Sequence, residues 1–386
     1  MRARDLGIVI GLGTPGPLNA ITDVPGLRVG HTTLIEGDGR LEVGRGPVRT
    51  GVTVVVPREG DRWREPVYAG CHRLSGNGEL TGLEWVRESG LLTTPIAITN
   101  THSVGVVRDA LVAASVESAH PGSVWWSLPV VGETWDGRLN DINGFHVRAG
   151  HLHAALEAAT SGPVTEGNVG GGTGMICHEF KGGIGTASRV IEERLGGFTL
   201  GVLVQANHGR RAWLRVDGVP VGREIGTDDV PSPFGTGQDP QALSESADPW
   251  GLPPGSGSII VVVATDAPLL PHQCERVAQR AGLGIARAGG TGGHTSGELF
   301  IAFATGNRLP MPTVDQLKPP LVHDVRVVGD AVIDALFGAT IEATEEAIVN
   351  ALVAAESMTG ADGITAHRLP HDRLRAAMTR YGRAPA

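Results

Sequence analysis

The stretch Gly257-Ser258-Ile259-Ile260-Val261-Val262-Val263-Ala264-Thr265-Asp266 decides how this chain is read. A loop rich in Gly, Pro and Ser, Leu252 to Gly257, runs into a serine, and aliphatic residues of strand type follow at once. A run with so few polar residues reads as a buried β-strand. Ser258 then stands at the mouth of that strand, with a flexible, cleavable segment before it. A serine at a loop–strand junction is ordinary by itself. Its meaning depends on what else the chain brings to such strand ends.

Downstream, Pro268-Leu269-Leu270-Pro271 marks a helix start, since proline is tolerated in a first turn. Cys274, Val277, Ala278 and Ala281 form the apolar stripe of this helix, and Gly282 and Gly284 are expected to close it. The glycine loop Gly289 to His294 leads through Thr295, Ser296, Gly297 and Glu298 into a second strand, Leu299 to Ala304. This is a strand–helix–strand unit with polar residues at both strand entrances. Late in the chain, Ile341, Thr344, Ile348, Leu352 and Ala355 line one face of a strong helix, with Glu342, Glu345, Glu346 and Asn350 outside it and Gly360 and Gly363 at its end.

Upstream, Thr199 to Gln205 reads as a strand, Ala206 to Gly209 as a turn, and Ala212 to Val216 as a returning strand. Residues 218 to 257 lose apolar periodicity and read as a linker or surface excursion that ends at Ser258. Shorter strands are expected at Leu27 to Val29, Gly51 to Val56 and Pro95 to Thr99, and helices around Leu83 to Arg87, over 103 to 118 and over His151 to Ala159. Trp125, Trp126 and Trp135 read as core or pocket wall. The glycine run Gly167 to Gly174 lacks a P-loop lysine, because Lys181 lies too far on. It reads as a tight turn where backbone approaches another segment or a substrate. Gly11 to Gly16 fits G-x-G-x-x-G, but Pro15 and Pro17 remove backbone donors and a turn follows where a dinucleotide loop would open a helix.

Composition narrows the classes. A chain of 386 residues can be one large α/β or α+β domain. A net charge of -9 argues against a general nucleic-acid or anionic-membrane surface. No signal peptide or transmembrane run is found, so a cytoplasmic protein is expected. Cys71, Cys177 and Cys274 are too few and too scattered for a disulfide framework or a zinc site. No metal or organic cofactor is expected.

Serine is a weak nucleophile without a base. No G-x-S-x-G elbow surrounds any serine here. Ser258 has another route. If the Gly257–Ser258 bond is cut, Ser258 gains a free α-amine of pKa ~7.7–8.0, a useful base at neutral pH. Gly257 suits the cut, because a missing side chain lets Ser258 Oγ reach the preceding carbonyl. Ser296 and Glu298, two apart in a strand, point to one face, where they can relay a proton and steady the ammonium. Asn207, in the turn after its strand, can donate its amide to an oxyanion.

These residues carry a resemblance. Gly257 to Gln273 closely resembles the start of the β chain in the L-aminopeptidase/D-esterase and β-aminopeptidase family. So do Ile21 to His31, Gly167 to Met175, Val204 to Gly209 and the late helix Ala343 to Met358. The resemblance covers nearly the whole chain apart from the linker. It implies an inactive precursor, a single catalytic domain that cuts itself into an α chain (1–257) and a β chain (258–386) which stay associated. It implies an α+β fold, a four-layer αββα sandwich similar to the ornithine acetyltransferase-like architecture and unlike the ordinary N-terminal-nucleophile hydrolases in connectivity. It implies Ser258 as nucleophile, Ser296 and Glu298 as its support, and Asn207 in the oxyanion hole. Some members offer a tyrosine hydroxyl in a Glu-Thr-aromatic-Asp-Gly motif. Here the motif is Glu133-Thr134-Trp135-Asp136-Gly137, and an indole N–H only donates. Glu133 is a candidate to bind a substrate ammonium, and Trp135 to shape side-chain preference.

The expected activity is release of N-terminal residues from short peptides, amino-acid amides or esters through an acyl-enzyme. Three alternatives stay open. Two are an acyltransferase resembling ornithine acetyltransferase and an amide-oligomer hydrolase of the nylon-degrading type, both of which usually use threonine. The third is an uncleaved binding protein. The resemblance also suggests a homo-oligomer, a tetramer of αβ units.

Overall fold

Ile259, Val261 and Val263 face one side of their strand and Ile260, Val262 and Ala264 the other, and all six are fully buried. The run lacks polar alternation because both faces of its sheet are covered. In this computed structural model the described residues are 1–60, 64–117, 126–235, 257–309 and 322–383. Trp125 and the part of the loop before Gly257 lie outside them.

In chain order the elements are β1 (Arg28–Glu36), β2 (Val48–Val56), β3 (Val67–Gly76), α1 (Leu83–Ser89), β4 (Leu91–Leu92), β5 (Ile96–Asn100), α2 (Val104–Glu117), β6 (Val130–Thr134) and α3 (Ala149–Glu157). Then come β7 (Ile176–Cys177), β8 (Phe180–Lys181), β9 (Gly183–Val190), β10 (Thr199–Asn207), α4 (Val221–Glu224), β11 (Ser258–Thr265), α5 (Pro271–Arg287), β12 (Gly297–Ala304), α6 (Asp330–Ala354) and α7 (His371–Arg380). A six-stranded sheet has the order β4-β3-β12-β11-β10-β9, and a four-stranded sheet the order β1-β2-β5-β6. β11 and β12 run parallel, joined by α5, because parallel neighbours need a crossover. The strand–helix–strand expectation holds.

Three apolar clusters organise the packing. Val277, Ala281 and Ile348, from α5 and α6, cover one face of the large sheet through Val261 and Val263. Val55, Ile98 and Val130 of the small sheet meet Ile260, Val262 and Ile301 of the large one. Val107, Leu111 and Leu152, from α2 and α3, cover the far face of the small sheet at Val52, Val54 and Ala97. The chain is thus mixed α+β. Close helix–strand approach depends on small residues: a Cβ on Gly185 of β9 would stand 2.0 Å from the Ala347 carbonyl of α6. Among the described residues, no helix is long and apolar enough to cross a membrane.

Several expectations need correction. Ala212 to Val216 is not a returning strand. Arg211–Trp213 is a 3₁₀ turn, and β10 pairs with β9 and β11 instead. Arg211 is drawn inside, where it donates to the carbonyls of His178, Glu179 and Val230. The excursion from 218 is not loose at its start, since Val219, Val221, Ile225 and Val230 are buried in the helix-side core. Residues 236–256 lie outside the described ones. α5 does not close at Gly282 or Gly284 but continues to Arg287. Trp126 is about half exposed, edge-on to Trp85. The Gly11 to Gly16 loop does offer backbone donors, but the N–H groups of Leu12 and Gly13 bind the Glu342 carboxylate.

The largest correction concerns α6. It ends at Ala354, and Glu345, Glu346 and Asn350 are buried rather than outside. Each has a partner that sequence periodicity does not show. Glu346 accepts from Arg4, Asn19 and Arg189, and Asn350 accepts the Ala3 N–H and donates to the Thr186 carbonyl. Arg189 itself is 1% exposed. Glu346→Ala is expected to lower the unfolding free energy by about 3 kcal/mol, because Arg4, Asn19 and the buried Arg189 all lose this carboxylate and Arg189 is left with Glu342 as its anionic partner. Urea denaturation at neutral pH measures this, and an unchanged midpoint would contradict it.

Candidate active site

Three strand ends meet at Ser258. In the antiparallel ladder Ser258 pairs with Asn207, and in the parallel ladder with Gly297. Directly paired residues in an antiparallel sheet share a face, so Asn207 and Ser258 present their side chains together. Ser258 is 5% exposed, and the Gly297 N–H reaches its Oγ at 3.3 Å. A Cβ on Gly257 would stand 1.9 Å from the Asn207 carbonyl oxygen, so that position accommodates only glycine.

Ser296 and Glu298 share a face, as expected. Ser296 Oγ contacts both the Gly257 carbonyl oxygen and a Glu298 carboxylate oxygen. A hydroxyl has one proton to give. When Ser296 donates to Gly257, the contact with Glu298 therefore needs a proton on the carboxyl. Burial pushes the Glu298 pKa up, against the pull of the Ser296 hydroxyl, which is the direction that keeps this proton in place.

Asn207 is the last residue of β10, not part of the following turn. Its Oδ1 accepts the Ile176 N–H at 2.7 Å, and its Nδ2 donates to the Trp135 carbonyl at 2.9 Å. The Ile176 bond sets which end of the amide carries the donors. Ile176 is held in turn by a buried lysine. Lys181 Nζ donates to the carbonyls of Gly172, Met175 and Gly182 at 3.2, 2.8 and 2.8 Å, and burial pulls its pKa down to about 7. The glycine run makes this possible by close backbone approach: a Cβ on Gly171 would fall 2.1 Å from Gln205 Oε1. The expected tight turn is present, and it serves Asn207.

Glu133 reaches the site from the other sheet. Its strand crosses β11, since a Cβ on Gly132 would lie 3.2 Å from Ile260 Cγ1. The Glu133 carboxylate accepts the Glu79 N–H at 2.9 Å and the Thr101 hydroxyl. A Cβ on Gly78 would lie 2.9 Å from Glu133 Oε1 and 3.5 Å from Gly297 Cα, so carboxylate and β12 flank one glycine. Burial pushes the Glu133 pKa up, partly offset by the Thr101 and Glu79 hydrogen bonds. Trp135 touches the site through its carbonyl, while its ring folds over Gly137, where a Cβ would meet Cζ2 at 2.6 Å. Next to it, burial pushes Asp136 up to about 6, against hydrogen bonds from Thr50, Asn140 and Asn100.

The structure thus brings together Gly257, Ser258, Asn207, Ser296 and Glu298, with Glu133 close by across the sheet interface. Sequence reading missed Ile176, Lys181, Gly78 and Thr101. Only Lys181 carried a signal, as the one lysine just after the glycine run. The set holds a hydroxyl, a proton-sharing serine–glutamate pair, an oriented amide and a spare carboxylate. These are the parts of an acyl-transfer site for a substrate with a free amine.

The chain is similar to known proteins along its whole length. A model of peptidase family S58 matches residues 19–366. The beta-peptidyl aminopeptidase BapA of Sphingosinicella microcystinivorans is 51% identical over 385 residues, covering 100% of this chain and 93% of that protein. A Burkholderia sp. beta-aminopeptidase structure superposes with TM-score 0.89 at 55% identity, covering 100% of both chains. The L-aminopeptidase D-Ala-esterase/amidase of Ochrobactrum anthropi, described as a prototype for the serine aminopeptidases and a new variant among the Ntn hydrolase fold, superposes with TM-score 0.85 at 45% identity over 100% of this chain and 99% of that one.

Lys181→Met is expected to cost about 3 kcal/mol of stability, because three buried carbonyls lose their shared amine donor. It is also expected to lower turnover more than it raises KM, since the Ile176 N–H loses its support. Chemical denaturation and steady-state kinetics test both effects. Wild-type stability in the variant would remove Lys181 from this account.

Proposed function

This chain belongs to peptidase family S58 and is an aminopeptidase, and from that premise we propose that it cuts its own backbone between Gly257 and Ser258 and works through the serine so exposed. The observation that carries the reading is the Ser296 hydroxyl on the Gly257 carbonyl, the group that the cut must activate. In maturation Ser258 Oγ adds to the Gly257 carbonyl carbon and the Gly257–Ser258 C–N bond breaks. The hydroxyl proton ends on the released α-amine. Water then hydrolyses the new ester, leaving a carboxylate on Gly257 and a free Ser258 hydroxyl.

In the mature enzyme the α-amine of Ser258 takes the hydroxyl proton as Oγ attacks a substrate carbonyl. The Asn207 amide and a backbone N–H hold the oxyanion, and the orientation imposed by Ile176 supports that assignment. Ser296 and Glu298 relay protons to the amine and the leaving group. Glu133 pairs with the substrate ammonium. Water releases the acyl group, and amides, esters and short peptides share the intermediate. The relatives' name, beta-peptidyl aminopeptidase, makes a peptide with an N-terminal β-amino acid the first substrate to test.

Helices on the far face of each of two stacked sheets support a four-layer αββα sandwich with the ornithine acetyltransferase-like arrangement. Free, buried Cys71, Cys177 and Cys274 support a reducing, cytoplasmic setting. Assembly as a tetramer of αβ units rests on the family resemblance.

Mass and N-terminal sequence of the purified protein test the maturation step. Wild type should give two chains, the smaller beginning Ser-Ile-Ile, and Ser258→Ala one intact chain. A single intact wild-type chain would remove the base from the mechanism. Glu133→Gln should still mature but lose roughly 10–100-fold in kcat/KM for free-amine substrates, the size of a hydrogen bond to a charged group. Because burial raises the Glu133 pKa, the wild-type carboxyl gains its proton at a higher pH than an ordinary glutamate. KM for such substrates should therefore rise as pH falls through that raised value, and this limb should be absent in Glu133→Gln. An identical pH profile in both proteins would place the ammonium elsewhere.

A further inference from the structure

Beside the Asn207 amide, three side chains that the peptidase chemistry does not use meet in the interior. Cys177 ends β7, His178 follows it, and His208 follows Asn207. The His178 N–H donates to the His208 carbonyl at 2.7 Å, so the two turns are tied together. Cys177 and His178 are 0% exposed and His208 is 2% exposed. The Cys177 sulfur and one ring nitrogen from each histidine lie within 4.8 Å of one another. Cys177 Sγ is 3.9 Å from His208 Nδ1, and the two imidazoles stand edge to face with centroids 5.2 Å apart.

The hydrogen bonding leaves this cluster incomplete. His178 Nδ1 meets the Arg210 carbonyl at 3.0 Å, and a carbonyl only accepts, so Nδ1 carries the proton and Nε2 keeps its lone pair. A backbone carbonyl on one ring nitrogen is the usual way a metal-binding imidazole is oriented. His178 Nε2 is buried without a hydrogen-bond partner, and His208 faces the thiol through Nδ1. Native interiors rarely leave such atoms unsatisfied, and an ion is one of the explanations. Tetrahedral zinc bonds of about 2.3 Å to sulfur and about 2.0–2.1 Å to nitrogen put a sulfur and a nitrogen ligand of one ion about 3.5–3.6 Å apart, and Cys177 Sγ and His208 Nδ1 are 3.9 Å apart.

We propose that Cys177, His178 and His208 bind one thiophilic transition-metal ion of the Zn²⁺ class, at a site separate from the peptidase centre. A thiol with two imidazoles selects such ions over Mg²⁺ or Ca²⁺, which prefer oxygen. Binding forms a metal–sulfur bond and releases the Cys177 thiol proton to solvent. A cleft of ≈ 230 Å³ is lined by Trp213, Leu214, Gly290 and Thr291. A Cβ on Gly290 would stand 3.1 Å from the His208 ring, so the wall of that cleft abuts the site. The ion would join the segment that follows Ile176 to the segment that follows Asn207.

The test uses the full-length protein, stripped with a chelator and titrated with Co²⁺ as an optical probe. One equivalent should produce a sulfur-to-cobalt charge-transfer band with intense d–d bands, and Zn²⁺ should bleach both and raise the melting temperature. Cys177→Ala should abolish the charge-transfer band, His178→Gln should weaken Co²⁺ binding at least tenfold, and Cys71→Ala and Cys274→Ala should change neither. The Ser258→Ala protein should bind alike, which keeps the result independent of maturation. If circular dichroism shows Cys177→Ala unfolded, His178→Gln and His208→Gln carry the test through the d–d bands. Absence of a charge-transfer band at one equivalent, its survival in folded Cys177→Ala, or unchanged binding in folded His178→Gln would overturn the proposal.

Discussion

Ser258 is held between two ladders, Asn207 antiparallel on one side and Gly297 parallel on the other. A slip of one residue in either would turn its side chain to the opposite face. The register is pinned by the apolar run that follows, because Ile260 and Val262 must meet the small sheet while Ile259 and Val261 meet the helices. The core thus sets the position of the hydroxyl. Gly257 completes the constraint, since the chain enters β11 so close to the Asn207 carbonyl that no side chain fits.

Buried charge is handled in two ways. Around α6, Glu346 meets Arg4 and Arg189 and serves the architecture. Around Ser258, Glu133 accepts from the Thr101 hydroxyl and the Glu79 N–H and Glu298 shares a proton with the Ser296 hydroxyl, neither has a described cationic partner, and burial pushes both pKa values up. A carboxylate satisfied by an arginine has little left to offer a substrate. One held by neutral donors keeps affinity for a proton or an ammonium. The contrast separates carboxylates paired with arginine from those held by neutral groups.

The parallel strand pair and its crossover helix were legible because their residues are apolar in long runs with glycine and proline at the boundaries. The helices at 104–117 and 149–157 were legible by periodicity. The α6 glutamates were misread because periodicity treats a polar residue as exposed, while their partners Arg4 and Arg189 come from distant parts of the chain. The supposed hairpin after β10 failed for a similar reason, as Arg211 is satisfied by carbonyls of another turn rather than by solvent. Cysteine and histidine spacing concealed the 177–178–208 cluster, which forms only because β7 lies beside the end of β10.

The sequence alone determined the nucleophile candidate, its glycine neighbour, the serine–glutamate pair and the asparagine. Ser258 and Glu298 stand at the start of recognisable strands, while Asn207 closes a strand that the sequence reading ended two residues earlier, and strand alternation is a local property. Tertiary structure decided everything that depends on what lies opposite: the Ser296 hydroxyl on the Gly257 carbonyl, the Ile176 N–H and Lys181 behind Asn207, and Glu133 arriving from the second sheet. These are contacts between segments far apart in the chain. They follow from sheet register and sheet stacking, which no local pattern encodes.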